Sequence, residues 1–332
     1  METYDYKFAS CFGEHIETFI SLKRKNGFVY NSEAYLLKKF DEFSAGRSES
    51  GPGISRELAA AWGTLRDSET RQYLSKRMSV LRQLCIYLNS LGINSYVPRA
   101  FTYKSGHVSH VMDDREIAAF FRELDADSPA AKNNGSNQRL NFEMKILFRM
   151  IYCCGLRVSE ATHIKLEDID FEAGTVAIYH SKGRKDRLIY FSEDMKNLLR
   201  QYLDILWNKY GVRSQLLFPA QDTGKFFQNA SVGQKFNKIW ERTVYAASCV
   251  QKPTVHSLRH SFVVKRMNLW MENNEDLKAL MPYLSKYLGH TSVDDTFYYY
   301  HQISQAFKII KSRDGMSEMI IPEVHDETEK DG

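Results

Sequence analysis

Apolar positions recur at helical spacing through residues 10–90, as at Phe19 and Leu22 and later at Tyr73, Leu74, Met78, Leu81, Leu84, Cys85, Ile86 and Leu88, with no alternating run of strand type. This half predicts an all-helical unit. Residues 44–55 (SAGRSESGPGIS) break it as a Gly/Ser/Pro loop, and residues 64–68 form a shorter polar interruption. Residues 92–111 carry turn residues, one proline and no sustained period, so they predict a linker. A new helix is expected at Met112-Asp113-Asp114, where an aspartate N-cap precedes Ile117, Phe120, Phe121 and Leu124. Residues 129–138 read as polar loop and residues 142–154 as an apolar helix stopped by Gly155. The β-branched and aromatic runs at 175–179 and 188–191 flank Ser181-Lys182-Gly183-Arg184-Lys185-Asp186 and predict an antiparallel hairpin with a basic tip. From 192 to 310 helical periodicity returns, interrupted near 219–224, at Lys252-Pro253 and at Gly289.

The expected fold is therefore mainly α with a small antiparallel β-sheet, in two domains. A helical domain spans 1–95, a linker 96–111 and a second domain 112–311. Residues 312–332 form an acidic tail expected to be disordered. The length of 332 residues and an apolar content of 43% suffice for two cores.

Charge sharpens this picture. The net +4 hides an asymmetry, because residues 311–332 hold three basic residues (Lys311, Arg313, Lys330) against seven acidic ones, which leaves +8 on residues 1–310. A body with that excess attracts polyanions. The five cysteines, Cys11, Cys85, Cys153, Cys154 and Cys249, form no CxxC pair and read as thiols of a reducing cytoplasm. No long apolar run suggests secretion or a membrane span, so a cytoplasmic protein is expected. The absence of a P-loop, GxGxxG or HExxH argues against ATP-driven remodelling, a dinucleotide cofactor and a zinc protease.

Singly, the chemical candidates are ordinary. Arg157, in Gly155-Leu156-Arg157-Val158-Ser159-Glu160, could be a surface charge at a helix start. His256 and His260 lie four apart on an expected helix, a spacing that serves a metal or plain packing. Tyr298, Tyr299 and Tyr300 could form an aromatic helix face.

Their order is not ordinary. A GLRxSE box, a basic hairpin tip, His256-Ser257-Leu258-Arg259-His260, Leu288-Gly289-His290 and a tyrosine nine positions on follow one another, and in this the chain resembles the tyrosine recombinase (phage integrase) family from about Asp113 to Lys311. The resemblance implies a two-domain DNA clamp, with the helical domain as a core-binding domain. It implies Arg157 and Arg259 as catalytic arginines, Lys182 as the hairpin lysine, His256 and His290 as catalytic histidines, Glu160 as a supporting acid and Tyr299 as nucleophile. His260, a turn beyond His256, is left to packing or capping. Lys23, Arg24, Lys38, Arg71, Lys76 and Arg77 are candidate DNA contacts beside the plainer reading of solvated helix faces, and Arg184 and Lys185 would neighbour the phosphate.

The residue types suit that chemistry. Two arginines can hold the non-bridging oxygens of a phosphodiester as charge builds on them. A histidine can exchange the phenol proton near neutral pH, and a lysine can protonate a departing 5′ oxygen. A phosphotyrosine diester keeps the energy of the broken bond, so neither ATP nor a metal is expected, and no cofactor. The implied activity is site-specific recombination of double-stranded DNA by a mobile element's enzyme, as a tetramer on two duplexes with exchange of a C-terminal helix. The alternatives are a type IB topoisomerase and a non-catalytic DNA-binding accessory factor.

Overall fold

The computed structural model describes residues 6–47, 52–100, 110–127, 135–179 and 186–290, with positions 292 and 296. The expectations for Lys182, Arg184, Lys185, Tyr298, Tyr299, Tyr300 and the acidic tail lie outside the described residues. The chain divides into two compact units, Met1–His107 and Val108–Gly332.

The first unit contains α1 (Gly13–Lys25), α2 (Asn31–Ala45), α3 (Arg56–Trp62) and α4 (Arg71–Ser90). The hydroxyls of Ser55 and Thr70 accept the backbone N–H groups of Leu58 at 3.0 Å and Tyr73 at 3.2 Å, which sets the starts of α3 and α4. The periodic apolar faces meet in a core of Phe12, Ile16, Phe19, Phe40, Trp62, Leu84 and Leu88, with α4 packed on α1 and α2. Each such buried side chain contributes about 1.5–3 kcal/mol.

Arg77 corrects an expectation. Its side chain is inside this unit, 2% exposed, and not on a DNA-facing surface. The guanidinium donates to Glu69 Oε1 at 2.5 Å and Oε2 at 2.7 Å, to the Thr64 carbonyl at 2.9 Å and to the Trp62 carbonyl. It therefore ties the polar interruption after α3 to the middle of α4. A cation so buried, with four of its five N–H groups engaged inside the unit, is not presented to a phosphate at the surface.

The second unit contains α5 (Asp114–Ala126), α6 (Gly135–Cys154), α7 (Val158–Thr162), β1 (Ile169–Asp170), β2 (Thr175–Ile178), β3 (Arg187–Tyr190), α8 (Glu193–Asn208), α9 (Asn229–Trp240), α10 (Val255–Glu272) and α11 (Leu277–Leu288). Asp113 caps α5 reciprocally: its Oδ1 accepts from Glu116 N at 2.8 Å, and Glu116 Oε2 accepts from Asp113 N at 2.9 Å. The core runs along α6, where Leu147, Phe148, Met150 and Ile151 are fully buried between α8 and α10. The three strands pair antiparallel in the order β1-β2-β3, with Val176 opposite Ile189 and Ile178 opposite Arg187.

Two details depart from the sequence pattern. The helix expected from 142 begins at Gly135, because buried Arg139 pairs with Glu143 at 2.5 Å and donates to the Ala220 carbonyl at 2.9 Å. A charged pair one turn apart thus replaces the apolar period. β1 adds an edge too short for any alternation to register. Among the described residues, no helix is long and apolar enough to cross a membrane.

Candidate active site

The site begins where α6 stops. Gly155 adopts φ +61°, and a Cβ there would lie 2.4 Å from the Phe262 ring of α10, so both backbone shape and space demand glycine. The turn delivers Arg157 to the N-cap of α7. Glu160, one turn on, accepts the Arg157 backbone N–H on Oε2 at 2.9 Å and its guanidinium on Oε1 at 2.7 Å.

Glu160 is the hub. Arg187, the first residue of β3, grips both of its oxygens, from NH1 to Oε1 at 3.0 Å and from NH2 to Oε2 at 2.7 Å. Arg259 NH1 lies 3.7 Å from Oε2. Burial alone would raise this carboxyl. The Arg187 ion pair, the Arg157 N–H and the Arg259 charge outweigh it and hold Glu160 at about 2, so it is ionised at neutral pH.

Arg259, on α10, is fully buried. Its NH1 donates to the Gly155 carbonyl and its NH2 to the Leu288 carbonyl, both at 2.7 Å, so one guanidinium clasps the C-terminal ends of α6 and α11. After α11 the chain turns through Gly289 at φ +67° and presents His290. Nε2 of His290 is 3.2 Å from Arg259 NH2, and its Nδ1 is 2.7 Å from Thr296 Oγ1.

His256 lies in the first turn of α10 with its ring 4.4 Å from that of His260 at a steep angle. Part of His256 is open to solvent, yet the surrounding protein withholds water from an imidazolium, and the charges of Arg259 and Arg157 add to this. His256 is pushed down to about 4 and is neutral at pH 7. His260 is buried and pushed down to about 3, by burial first and then by His256, Arg259 and His290.

The structure thus brings together Arg157, Glu160, His256, Arg259 and His290. Among the candidate DNA contacts, Arg71 and Lys76 are exposed, and Lys76 Nζ is 3.1 Å from Ser32 Oγ. Lys23, Arg24 and Lys38 are half-buried. Lys23 lies over the Phe19 ring at 5.2 Å, Arg24 donates to Asn31 Oδ1 at 3.3 Å, and Lys38 sits 3.6 Å from Asp41.

Sequence reasoning missed Arg187 and Thr296. It also missed a cluster of His110, Glu116 and Cys249, whose potential ligand atoms lie within 4.8 Å of one another. These side chains are already engaged. His110 Nε2 is 3.0 Å from both Glu116 oxygens, Glu116 caps α5, and Cys249 Sγ donates to the Gln251 carbonyl at 3.0 Å.

Three arginines around one ionised carboxylate, with two histidines alongside, form a site for holding a phosphodiester and moving a proton. Residues 122–306 match the Phage integrase family, more than half of the chain, and the chain belongs to that family of DNA strand-transferring enzymes. Tyrosine recombinase XerC of Oceanobacillus iheyensis is 27% identical over 301 residues, covering 86% of this chain and 91% of XerC. Among solved structures, the XerH site-specific recombinase in its post-cleavage complex with palindromic difH is 22% identical at a TM-score of 0.64, covering 91% of this chain and 84% of that one. A lambda integrase dimer on a core site is 14% identical at a TM-score of 0.60, covering 86% and 94%. The likeness to known recombinases leaves the topoisomerase and accessory-factor alternatives unsupported.

Proposed function

We propose that this recombinase cuts and rejoins double-stranded DNA through Tyr299, as the enzyme of a mobile element. The Tyr299 hydroxyl attacks the scissile phosphorus, a 3′-phosphotyrosyl bond forms and the bond to the 5′ oxygen breaks. Neutral His256 takes the phenol proton, and Lys182 gives a proton to the departing 5′ oxygen. Arg157 and Arg259 hold the non-bridging oxygens, with Glu160 fixing both. His290 completes the phosphate cradle. A 5′ hydroxyl of a second strand then reverses the attack.

The observation that carries this reading is the union of Arg157 and Arg259 through one buried, ionised carboxylate, with His256 and His290 alongside. The complexes of XerH with difH and of lambda integrase with a core site support duplex DNA as substrate. On this reading residues 1–95 form the core-binding half of a DNA clamp, joined by a linker at 96–111 to the catalytic domain at 112–311. Lys23, Arg24, Lys38, Arg71 and Lys76, with Arg184 and Lys185, contact the duplex. Four protomers act on two duplexes, exchanging the helix after Tyr299, in the cytoplasm at the nucleoid.

The test uses a duplex recovered from a randomised pool by binding to the protein, then nicked next to the cleavage position so that religation fails. The wild-type chain should form an adduct that survives denaturant, and Tyr299→Phe should bind the duplex but form none. An adduct persisting in that variant removes Tyr299 as nucleophile.

A further inference from the structure

Arg187 stands apart from the residues assigned above, yet it joins two parts of the site, the Glu160 carboxylate and the end of α11. Its side chain is only 6% exposed. The guanidinium occupies both oxygens of Glu160, and its Nε donates to the Tyr287 carbonyl at 2.6 Å, in the last turn of α11. The same side chain closes over Gly289, where a Cβ would come within 3.1 Å of NH1. It thus touches the carboxylate shared by Arg157 and Arg259 and also the helix end that presents His290.

The electrostatic consequence follows from the donor inventory. One carboxylate faces three guanidinium groups, so the centre keeps an excess of positive charge for a phosphate. With Arg187 absent, the oxygens it fills would be completed by Arg157 and Arg259, whose donors would turn inward, away from the substrate. Burial would also weigh more heavily on Glu160, since Arg187 is the largest influence holding that carboxyl ionised, with the Arg157 N–H and the Arg259 charge remaining against it.

We propose that Arg187 is a positioning residue for strand cleavage: by filling both oxygens of Glu160 and bracing the end of α11, it sets the Arg157–Arg259 pair and His290 around the scissile phosphate without touching DNA. This rests on the recombinase reading above. Arg187 also begins β3, five positions after Lys182 in the sequence.

Arg187→Lys and Arg187→Gln are compared with the wild type on the nicked duplex, measuring thermal stability, the dissociation constant and the single-turnover rate of adduct formation at saturating DNA. Arg187→Lys keeps the charge but cannot bridge both oxygens. It should fold and bind DNA as the wild type does while forming adduct on the order of 100-fold more slowly, the scale of a misplaced reacting group. Because Arg187 acts through Glu160, the double variant Glu160→Gln/Arg187→Gln should be no slower than the slower single variant. A wild-type rate in Arg187→Lys, multiplying losses in the double variant, or loss of folded protein in both Arg187 variants would each overturn the proposal. In those cases the wild type still forms adduct and the recombinase reading stands. A wild type that forms no adduct sinks that reading, and this inference with it.

Discussion

Arg259 NH2 lies 3.2 Å from Nε2 of His290, and a guanidinium can only donate, so that ring nitrogen is the acceptor. The proton of the neutral ring then sits on Nδ1 and is given to Thr296 Oγ1 at 2.7 Å. In this state His290 has no Nε2 proton to offer a phosphate. The place proposed for it in a phosphate cradle, as a donor, would require a second proton or a tautomer change.

Nitrogen-15 NMR of the free protein should therefore report the Nδ1-protonated tautomer of His290. Thr296→Val, which removes the acceptor, should shift the ring toward a tautomer mixture. An Nε2-protonated ring in the free wild type would contradict the assignment.

Gly155→Ala should destabilise the second unit by about 2–4 kcal/mol, combining left-handed strain of about 1–2 kcal/mol with overpacking against Phe262. Chemical denaturation measures this. Adduct formation should fall even under conditions where the variant is folded, since the Gly155 carbonyl orients Arg259. A stability equal to the wild type would contradict the close approach.

Acid should weaken the fold in two overlapping windows. His256 and His260 have folded values of about 4 and 3, below the ordinary 6.5, so stability is complete above pH 6.5. It declines as pH falls toward those folded values, because the unfolded chain binds the protons first. Glu160, held at about 2 against an ordinary 4.5, contributes stability that is full above pH 4.5 and is lost as pH falls through about 2, an upper bound of about 3 kcal/mol. Urea midpoints measured against pH should show His260→Gln with a flatter decline below pH 6.5. An unchanged profile would remove His260 as a contributor.

Arg77→Ala should cost the first unit about 3–5 kcal/mol by leaving the Glu69 carboxylate buried without its cation. Lys76→Ala, one residue away but exposed, should change stability by less than about 0.5 kcal/mol. In a salt titration of DNA binding, Lys76→Ala should lower the slope by about one counterion. The reverse pattern would restore Arg77 to the DNA surface.

Adduct formation should persist in the presence of a strong chelator, because Arg157 and Arg259 supply the fixed positive charge. Loss of adduct on chelation, restored by a divalent cation, would contradict this.

The parts of this fold legible in the sequence were those governed by local rules. Gly155 stops a helix because its backbone turns left-handed, Asp113 starts one because its carboxylate caps it, and the hairpin strands are short runs of β-branched and aromatic residues. Arg157, Glu160, Arg259 and His290 could be paired only through the family resemblance, since nothing local to Gly155-Leu156-Arg157 states that Leu288 and Gly289 will lie beside it. Arg187 was hidden in a run of basic residues. One signal could have exposed it: on a strand of period two it shares a face with buried Ile189, while Leu188 and Tyr190 point out, which marks an inward-facing cation in need of an anion. Arg77 misled for a similar reason. Among helical cations, only tertiary packing distinguishes the one that turns inward.

The grip of Arg259 on two helix ends bears on how the enzyme is born. Its bonds reach 104 positions back to Gly155 and 29 forward to Leu288. During ribosomal synthesis the first arginine emerges long before the second, and the carbonyl that locks the second emerges later still. No shorter nascent chain can close the clasp of Arg259 on both helix ends, so on the proposed reading the phosphate cradle is completed abruptly with the last helices.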